Sequence, residues 1–424
     1  MSATTPATAA PRRLFVDMRA VSHAVATGAF LALFPGYFVY HFLLAMGLMP
    51  AILGGLIGNV SLLIAAYCIF LSFWFLRSEF WGGLNAARLF LFAWCYYAVW
   101  GATGALAVLG ESYGFWSTRE VVAMLVYWLT MFFVGSFFRL DGWVSKAAFV
   151  VMAACVVACL LASVIIYASL LGPLFAFSPP ADAEVESSTY QGAGRSIAIT
   201  GVVAAAYVSG QWRQLGILAL AVIVLLSIGS RTYLVAGAAA LAFWVCVAAV
   251  RHKQHVALAL FVGFAGTVGY SVREFFLETR AGELLDLTGS ASWQDRLSVQ
   301  AEALDAIRSN PLLGDFGYHI REIGTGGYAH NALSAWPEFG LIGFLLYVLL
   351  LGFFAITALR RMFSTEPRWQ AAVGLNVVAL VVILAEPVFS IVPALGWGFV
   401  VNALLHERRA RRLHAMRPAL AGSA

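Results

Sequence analysis

Trp336-Pro-Glu-Phe-Gly-Leu-Ile-Gly-Phe-Leu-Leu-Tyr-Val-Leu-Leu-Leu-Gly-Phe-Phe-Ala-Ile-Thr-Ala-Leu359 is an apolar run carrying a single charge, at Glu338. A helix crosses the hydrocarbon core of a bilayer with about 20 apolar residues, so this run reads as a membrane span. Immediately ahead of it stands Tyr328-Ala-His-Asn331. An imidazole that titrates near neutrality, His330, and an amide, Asn331, thus sit where a long polar loop meets the membrane.

The rest of the chain has the same character. Of 424 residues, 62% are hydrophobic and 11% charged, and the mean hydropathy is +0.85. Soluble domains are nearer half apolar and a quarter charged, so the composition is that of an integral membrane protein. Residues 1–20 are polar and carry Arg12, Arg13 and Arg19. The apolar run that follows is too long for the core of a signal peptide and reads as a retained span. The five cysteines all fall inside apolar runs, which predicts packing residues and no structural disulfide.

Hydropathy predicts about twelve spans, near 22–46, 51–76, 85–108, 118–138, 144–170, 195–210, 212–229, 231–250, 255–272, 336–359, 369–389 and 391–406. The nearly continuous 195–250 stretch is divided at Gly210-Gln-Trp-Arg213 and at Gly229-Ser-Arg231. With an inside N-terminus, 18 of the Lys and Arg residues lie inside and 8 outside, as the positive-inside rule requires. Both termini are then cytoplasmic. The expected fold is all-α, a polytopic transmembrane bundle forming one domain over 1–424.

Two outer loops result. Residues 173–194 are short, acidic and rich in Pro and Gly, and 273–335 is the one long loop. Within it, Ser292-Trp-Gln-Asp295 resembles a capping box, and Trp293, Leu297, Ala301 and Leu304 recur at helical spacing. This predicts an amphipathic helix near 292–309, stopped by Asn310-Pro311 and lying on the bundle. Gly314, Gly317 and Gly324-Thr-Gly-Gly327 are expected to be flexible links.

The groups able to carry chemistry gather on the outer side. Arg195 and Arg231 open spans, and His330 and Asn331 precede a third. Each of those helix starts presents unpaired N–H groups and about half a positive charge outward, with Ser196, Ser230 and Thr232 as suitable caps. Arginines on helix N-termini make an anion site, and a phosphate or pyrophosphate on a lipid suits it. The plainer alternatives are a snorkelling Arg195 or Arg231, a surface Arg296, a satisfied interfacial His330, a capping Asn331 and a Glu338 that complements its helix dipole. Glu386, ahead of Pro387, falls inside a predicted span, as a packing partner or a lining residue. No metal-ligand spacing, Walker loop or dinucleotide fingerprint stands out, so acid–base and electrostatic chemistry is expected, without a bound metal.

Ser230-Arg-Thr232, then Asp295-Arg296 and Ala306-Ile-Arg-Ser-Asn-Pro-Leu-Leu-Gly314, then His330-Asn-Ala-Leu333 and Glu338-Phe-Gly-Leu-Ile-Gly343 form a pattern that resembles the O-antigen ligase and polymerase family. It covers about 195–359. The resemblance implies a polytopic glycosyltransferase of the GT-C type in a bacterial inner membrane. Such an enzyme moves a glycan from undecaprenyl pyrophosphate onto a sugar hydroxyl at the periplasmic face, with inversion and without metal or other cofactor. By motif, Arg231 would hold the pyrophosphate and His330 would assist the acceptor. Arg195 and Arg296 join the pyrophosphate site on looser motifs, with Asn331, Ser230 and Glu338 in support. The single long loop leans towards a ligase acting on lipid A–core, with a polymerase of the same donor as the alternative. No nucleic-acid partner is expected. A flippase or other transporter is the competing class, although such proteins place ionisable groups at mid-membrane and show internal repeats, whereas here the ionisable groups gather at one face, with Glu386 the main exception, and no repeat is evident.

Overall fold

A computed structural model describes residues 10–50, 52, 55–71, 77, 80–81, 84–167, 190–228, 230–252, 291–318, 331–388 and 390–421. Among the described residues every regular element is a helix. In chain order they are α1 (Ala10–Leu33), α2 (Pro35–Ala45), α3 (Gly55–Phe70), α4 (Asn85–Phe137), α5 (Trp143–Tyr167), α6 (Tyr190–Tyr207), α7 (Gln211–Ile228), α8 (Arg231–His252), α9 (Ala291–Ser309), α10 (Ala335–Leu359), α11 (Pro367–Val382) and α12 (Val392–Ala421). Five helices are long and apolar enough to cross a membrane, or six if the bent pair α1–α2 is one span. In hydrocarbon only a helix satisfies its own backbone, so apolar runs of this length become helices.

Several boundaries differ from the hydropathy reading, each for a local reason. The span expected at 22–46 bends by 40° between Leu33 and Pro35, where proline withholds an amide from the helix ladder. The span expected at 369–389 stops at Val382, and 383–388 is irregular, because Pro387 cannot donate and pushes Glu386 away from helical backbone. The last helix continues through the basic tail to Ala421. The 195–250 stretch divides at both expected points, with Gly210 at φ 98° opening the first break. The expected span at 255–272 lies outside the described residues.

Helix α4 is traced over 53 residues, yet it cannot be straight. The rings of Trp94 and Trp128 stack at 4.7 Å, whereas a straight helix at about 1.5 Å per residue would hold them about 50 Å apart. The element therefore folds back into two arms, in keeping with the two spans expected at 85–108 and 118–138.

The second arm packs against α12 through glycines. A Cβ on Gly135 would lie 2.5 Å from the Leu395 carbonyl oxygen, and one on Gly398 2.4 Å from that of Phe132. Small residues let helices approach closely where lipid supplies no hydrophobic drive. Asn402 closes the crossing by donating to the carbonyls of Gly135 (3.1 Å) and Phe138 (2.7 Å). Trp128 then joins Trp94 to Trp397, whose ring lies at 5.1 Å, and forms the aromatic centre of the core.

The helix ends collect at two poles. At one, Thr27 donates to the Arg139 carbonyl (3.1 Å), Arg368 pairs with Asp141 (2.9 Å), and His406 meets Glu366 (2.8 Å). Arg361 meets Glu407 (3.0 Å), Gln214 meets Gln370 (3.0 Å), and Arg251 donates to the Phe363 carbonyl. Such exposed pairs add little stability. Their value is positional, because they join the ends that the span count puts on one side.

Candidate functional site

The opposite pole is assembled around the first turns of α6 and α8. A Cβ on Gly192 would lie 2.3 Å from the Tyr37 hydroxyl of α2, and one on Gly194 2.7 Å from Cβ of Ser230. Two missing side chains thus let the start of α6 wedge between α2 and α8. The Ser196 hydroxyl donates to the Phe34 carbonyl, in the bend between α1 and α2, and fixes the wedge from the other side. Arg195 and Arg231 are each the next residue after the contact between Gly194 and Ser230, but only Arg231 opens its helix: α6 begins at Tyr190, so Arg195 stands in its second turn and not at the helix start that hydropathy predicts. The N-terminus of α8 adds partial positive charge beside Arg231.

Arg195 is partly buried. Its guanidinium couples electrostatically to Tyr233, Tyr37 and Glu386. The Tyr233 hydroxyl is within reach of both Arg195 and Glu386 and couples to both. Glu386 couples also to Tyr347.

Glu386 does not lie inside a helix, as the hydropathy reading had it, but in the irregular 383–388 stretch, partly exposed. Ser390 donates to its Oε2 (2.7 Å), and the Trp128 indole holds the Ser390 carbonyl (3.0 Å). On either side of Glu386 the stretch grips the turn that leads into α10. The Ala332 amide donates to the Ile383 carbonyl (2.7 Å), and the Val388 amide donates to the Ser334 hydroxyl (2.7 Å). The residues just after His330 are thereby seated beside Glu386. His330 itself lies outside the described residues.

The remaining candidates separate. Asn331 is a cap, its Oδ1 accepting the Leu333 amide (2.9 Å) at a 3-10 turn over Ala332–Ser334. Ser230 is buried, and its hydroxyl has no hydrogen-bond partner, so it does not cap α8 in the expected way. Arg296 sits on α9, which covers Ala291–Ser309 where 292–309 was expected. It is partly exposed and, among the described residues, makes no hydrogen bond or ion pair that would bring it to Arg195. The side chains of Ser292-Trp-Gln-Asp295 lie outside the described residues.

Glu338 is buried, 1% exposed, and its Oε2 accepts the Gly317 amide (2.9 Å). Around it the 311–317 segment is stitched to the kinked start of α10. The Asp315 amide donates to the Pro337 carbonyl (2.7 Å), and the Leu341 amide to that of Pro311 (3.0 Å). The Trp336 indole also donates to the Pro311 carbonyl (2.8 Å). Gly314 and Gly340 both take positive φ, 74° and 65°, and their backbones touch, which any side chain would prevent. The expectation that Gly314 and Gly317 are flexible links is therefore corrected: both are locked in turns. Gly324 to Gly327 lie outside the described residues.

Sequence alone offers Glu386 only as a packing partner or a lining residue, and does not point to Tyr233. An ionisable residue in an apolar run, followed by proline, was the available signal for Glu386. Tyr233 carried none, since an aromatic on a span is ordinary packing. Among the described residues no group of three or more His, Cys, Asp or Glu side chains converges as a metal site. No protein-family model matches the chain, and no curated protein matches it.

Proposed function

We propose that the protein is an inner-membrane glycosyltransferase that takes a glycan from undecaprenyl pyrophosphate and passes it to a sugar hydroxyl, acting as an O-antigen ligase on lipid A–core. The observation that carries this reading is the contact of Gly194 with Ser230, which brings the helix turn of Arg195 against the start of α8 at Arg231. That is an anion site of the kind a pyrophosphate requires. The motif resemblance over 195–359 supplies the identity of donor and acceptor.

In this reading the chain makes about twelve spans, with both termini cytoplasmic and the arginine pole periplasmic. The gathering of Arg139, Arg251, Arg361 and Arg368 at the other pole supports that orientation through the positive-inside rule. The arginines and the N-terminus of α8 stabilise the charge that grows on the departing pyrophosphate. The acceptor oxygen bonds to the anomeric carbon as the bond to the pyrophosphate oxygen breaks, which inverts the centre. The hydroxyl proton passes to His330, a contribution of typically ~10²–10⁴-fold.

Reconstitution with lipid-linked glycan and lipid A–core tests the proposal. Release of undecaprenyl pyrophosphate with appearance of the glycan on lipid A–core is the expected result. Movement of intact donor across the bilayer would make the protein a transporter. Growth of the glycan on the isoprenyl carrier would make it a polymerase.

A further inference from the structure

We infer that Glu386 belongs to a second subsite beside the arginines, one that holds a polyhydroxylated acceptor, a carbohydrate, by hydrogen bonds to its carboxylate and to the hydroxyls around it. The inference rests on the reading of Arg195 and Arg231 as the anion site.

The position is built rather than incidental. The stretch that carries Glu386 is held at Ile383, Val388 and Ser390 by hydrogen bonds to α4 and to the turn before α10. The bland explanation is that Glu386 only neutralises Arg195. Yet the two charges are linked through the Tyr233 hydroxyl, which reaches both, and not by a direct ion pair among the described residues. A carboxylate offers about four acceptor positions, and the described contacts fill two of them, from Ser390 and Tyr233.

The surrounding hydroxyls point the same way. Tyr347 is fully buried and Ser230 is 1% exposed, and the hydroxyl of each has no hydrogen-bond partner among the described residues. Buried polar groups are normally paired, so such a cluster calls for a ligand or ordered water that both gives and accepts hydrogen bonds. A phosphate cannot face Glu386, because like charges repel. A sugar can, since its hydroxyls donate to the carboxylate and accept from tyrosine. Glu386 is partly exposed and therefore reachable. The donor then lies on the arginines and the acceptor on the carboxylate, with Tyr233 at the boundary.

Glu386→Gln in the full-length protein removes the charge and keeps the shape. In the transfer assay the acceptor KM rises about 10- to 100-fold, while binding of farnesyl pyrophosphate in detergent is unchanged. An unchanged acceptor KM overturns the subsite. So does an equal loss of acceptor and farnesyl pyrophosphate binding, which would reduce Glu386 to a partner of Arg195. Tyr233→Phe, which deletes one hydroxyl, gives a smaller rise in the same acceptor KM and serves if Glu386→Gln fails to fold. Saturation-transfer NMR with soluble hexose disaccharides separates this inference from the transferase reading. A signal on the wild type that Glu386→Gln loses supports the subsite even if no transfer occurs, and no signal on the wild type overturns it.

Discussion

Glu338 accepts the amide of Gly317 at 2.9 Å in a fully packed setting, and so joins the loop after α9 to the kinked first turn of α10. The two motifs that meet here, Asn310-Pro-Leu-Leu-Gly314 and Glu338-Phe-Gly-Leu-Ile-Gly343, are far from flexible spacers. They form one interlocked unit that holds the approach to Asn331. Glu338 acts on the site, in this arrangement, by fixing backbone.

Glu338→Ala should therefore leave the Gly317 amide buried without that partner, at a cost of about 1–3 kcal/mol. Lower thermal stability in detergent and faster proteolysis within 310–318 are the expected results. Glu338→Gln keeps an acceptor oxygen and should lose much less. Equal behaviour of the two variants and the wild type would remove the latch.

Arg231→Ala should abolish glycan transfer while membrane insertion stays normal. Arg231→Lys should also be poor, because a point charge does not replace a bidentate guanidinium on a pyrophosphate. Transfer close to wild type in either variant, measured on purified protein, takes Arg231 out of the site.

His330→Ala should lower the transfer rate by about 10²–10⁴-fold, the usual worth of a positioned general base. Farnesyl pyrophosphate binding should be kept, since the arginines are untouched. Parallel loss of binding and rate would assign His330 to the donor instead.

Gly194→Ala tests the wedge. Its new methyl would lie 2.7 Å from Ser230 Cβ and 3.2 Å from Tyr233 Cβ, an overpacking that costs about 1–3 kcal/mol. Both thermal stability and farnesyl pyrophosphate binding should fall. Adding Ser230→Gly removes the nearer obstacle and should restore part of each. No effect of Gly194→Ala on binding would mean that the contact of α6 with α8 does not set the anion site.

Asp141 lies in the short loop between α4 and α5. Burial pushes its carboxyl up, but Arg139 and Arg368 outweigh this and hold it below the ordinary carboxylate range. Because the folded value is the lower one, the ionised group contributes stability above the ordinary value and loses it as pH falls through the lowered one. Asp141→Asn should thus lower the unfolding temperature at neutral pH, and the difference should close below about pH 4. The group is 40% exposed, so the effect should be at most about 1 kcal/mol. A pH-independent difference would point to packing instead of charge.

The helices were legible without coordinates. Apolar runs of span length have one way to satisfy their backbone in lipid, and Gly210 with the polar residues around 210–213 marks a break by local chemistry alone. Asn331 as a cap was equally readable, because capping is decided within three residues. Arg231 at a helix start followed from the same local signals, whereas α6 begins at Tyr190, five residues ahead of the Arg195 start that hydropathy predicts. What only the packed bundle decides is which distant groups meet. Glu386 reaches Arg195 and Tyr233 because Pro387 ends a helix early and because Gly192 and Gly194 let α6 wedge in. Glu338 meets Gly317 because two glycines with positive φ touch backbone to backbone. Periodicity and hydropathy are sums over neighbours in the chain. A contact between elements depends on missing side chains and kinks at both partners at once, and no window along the sequence contains both.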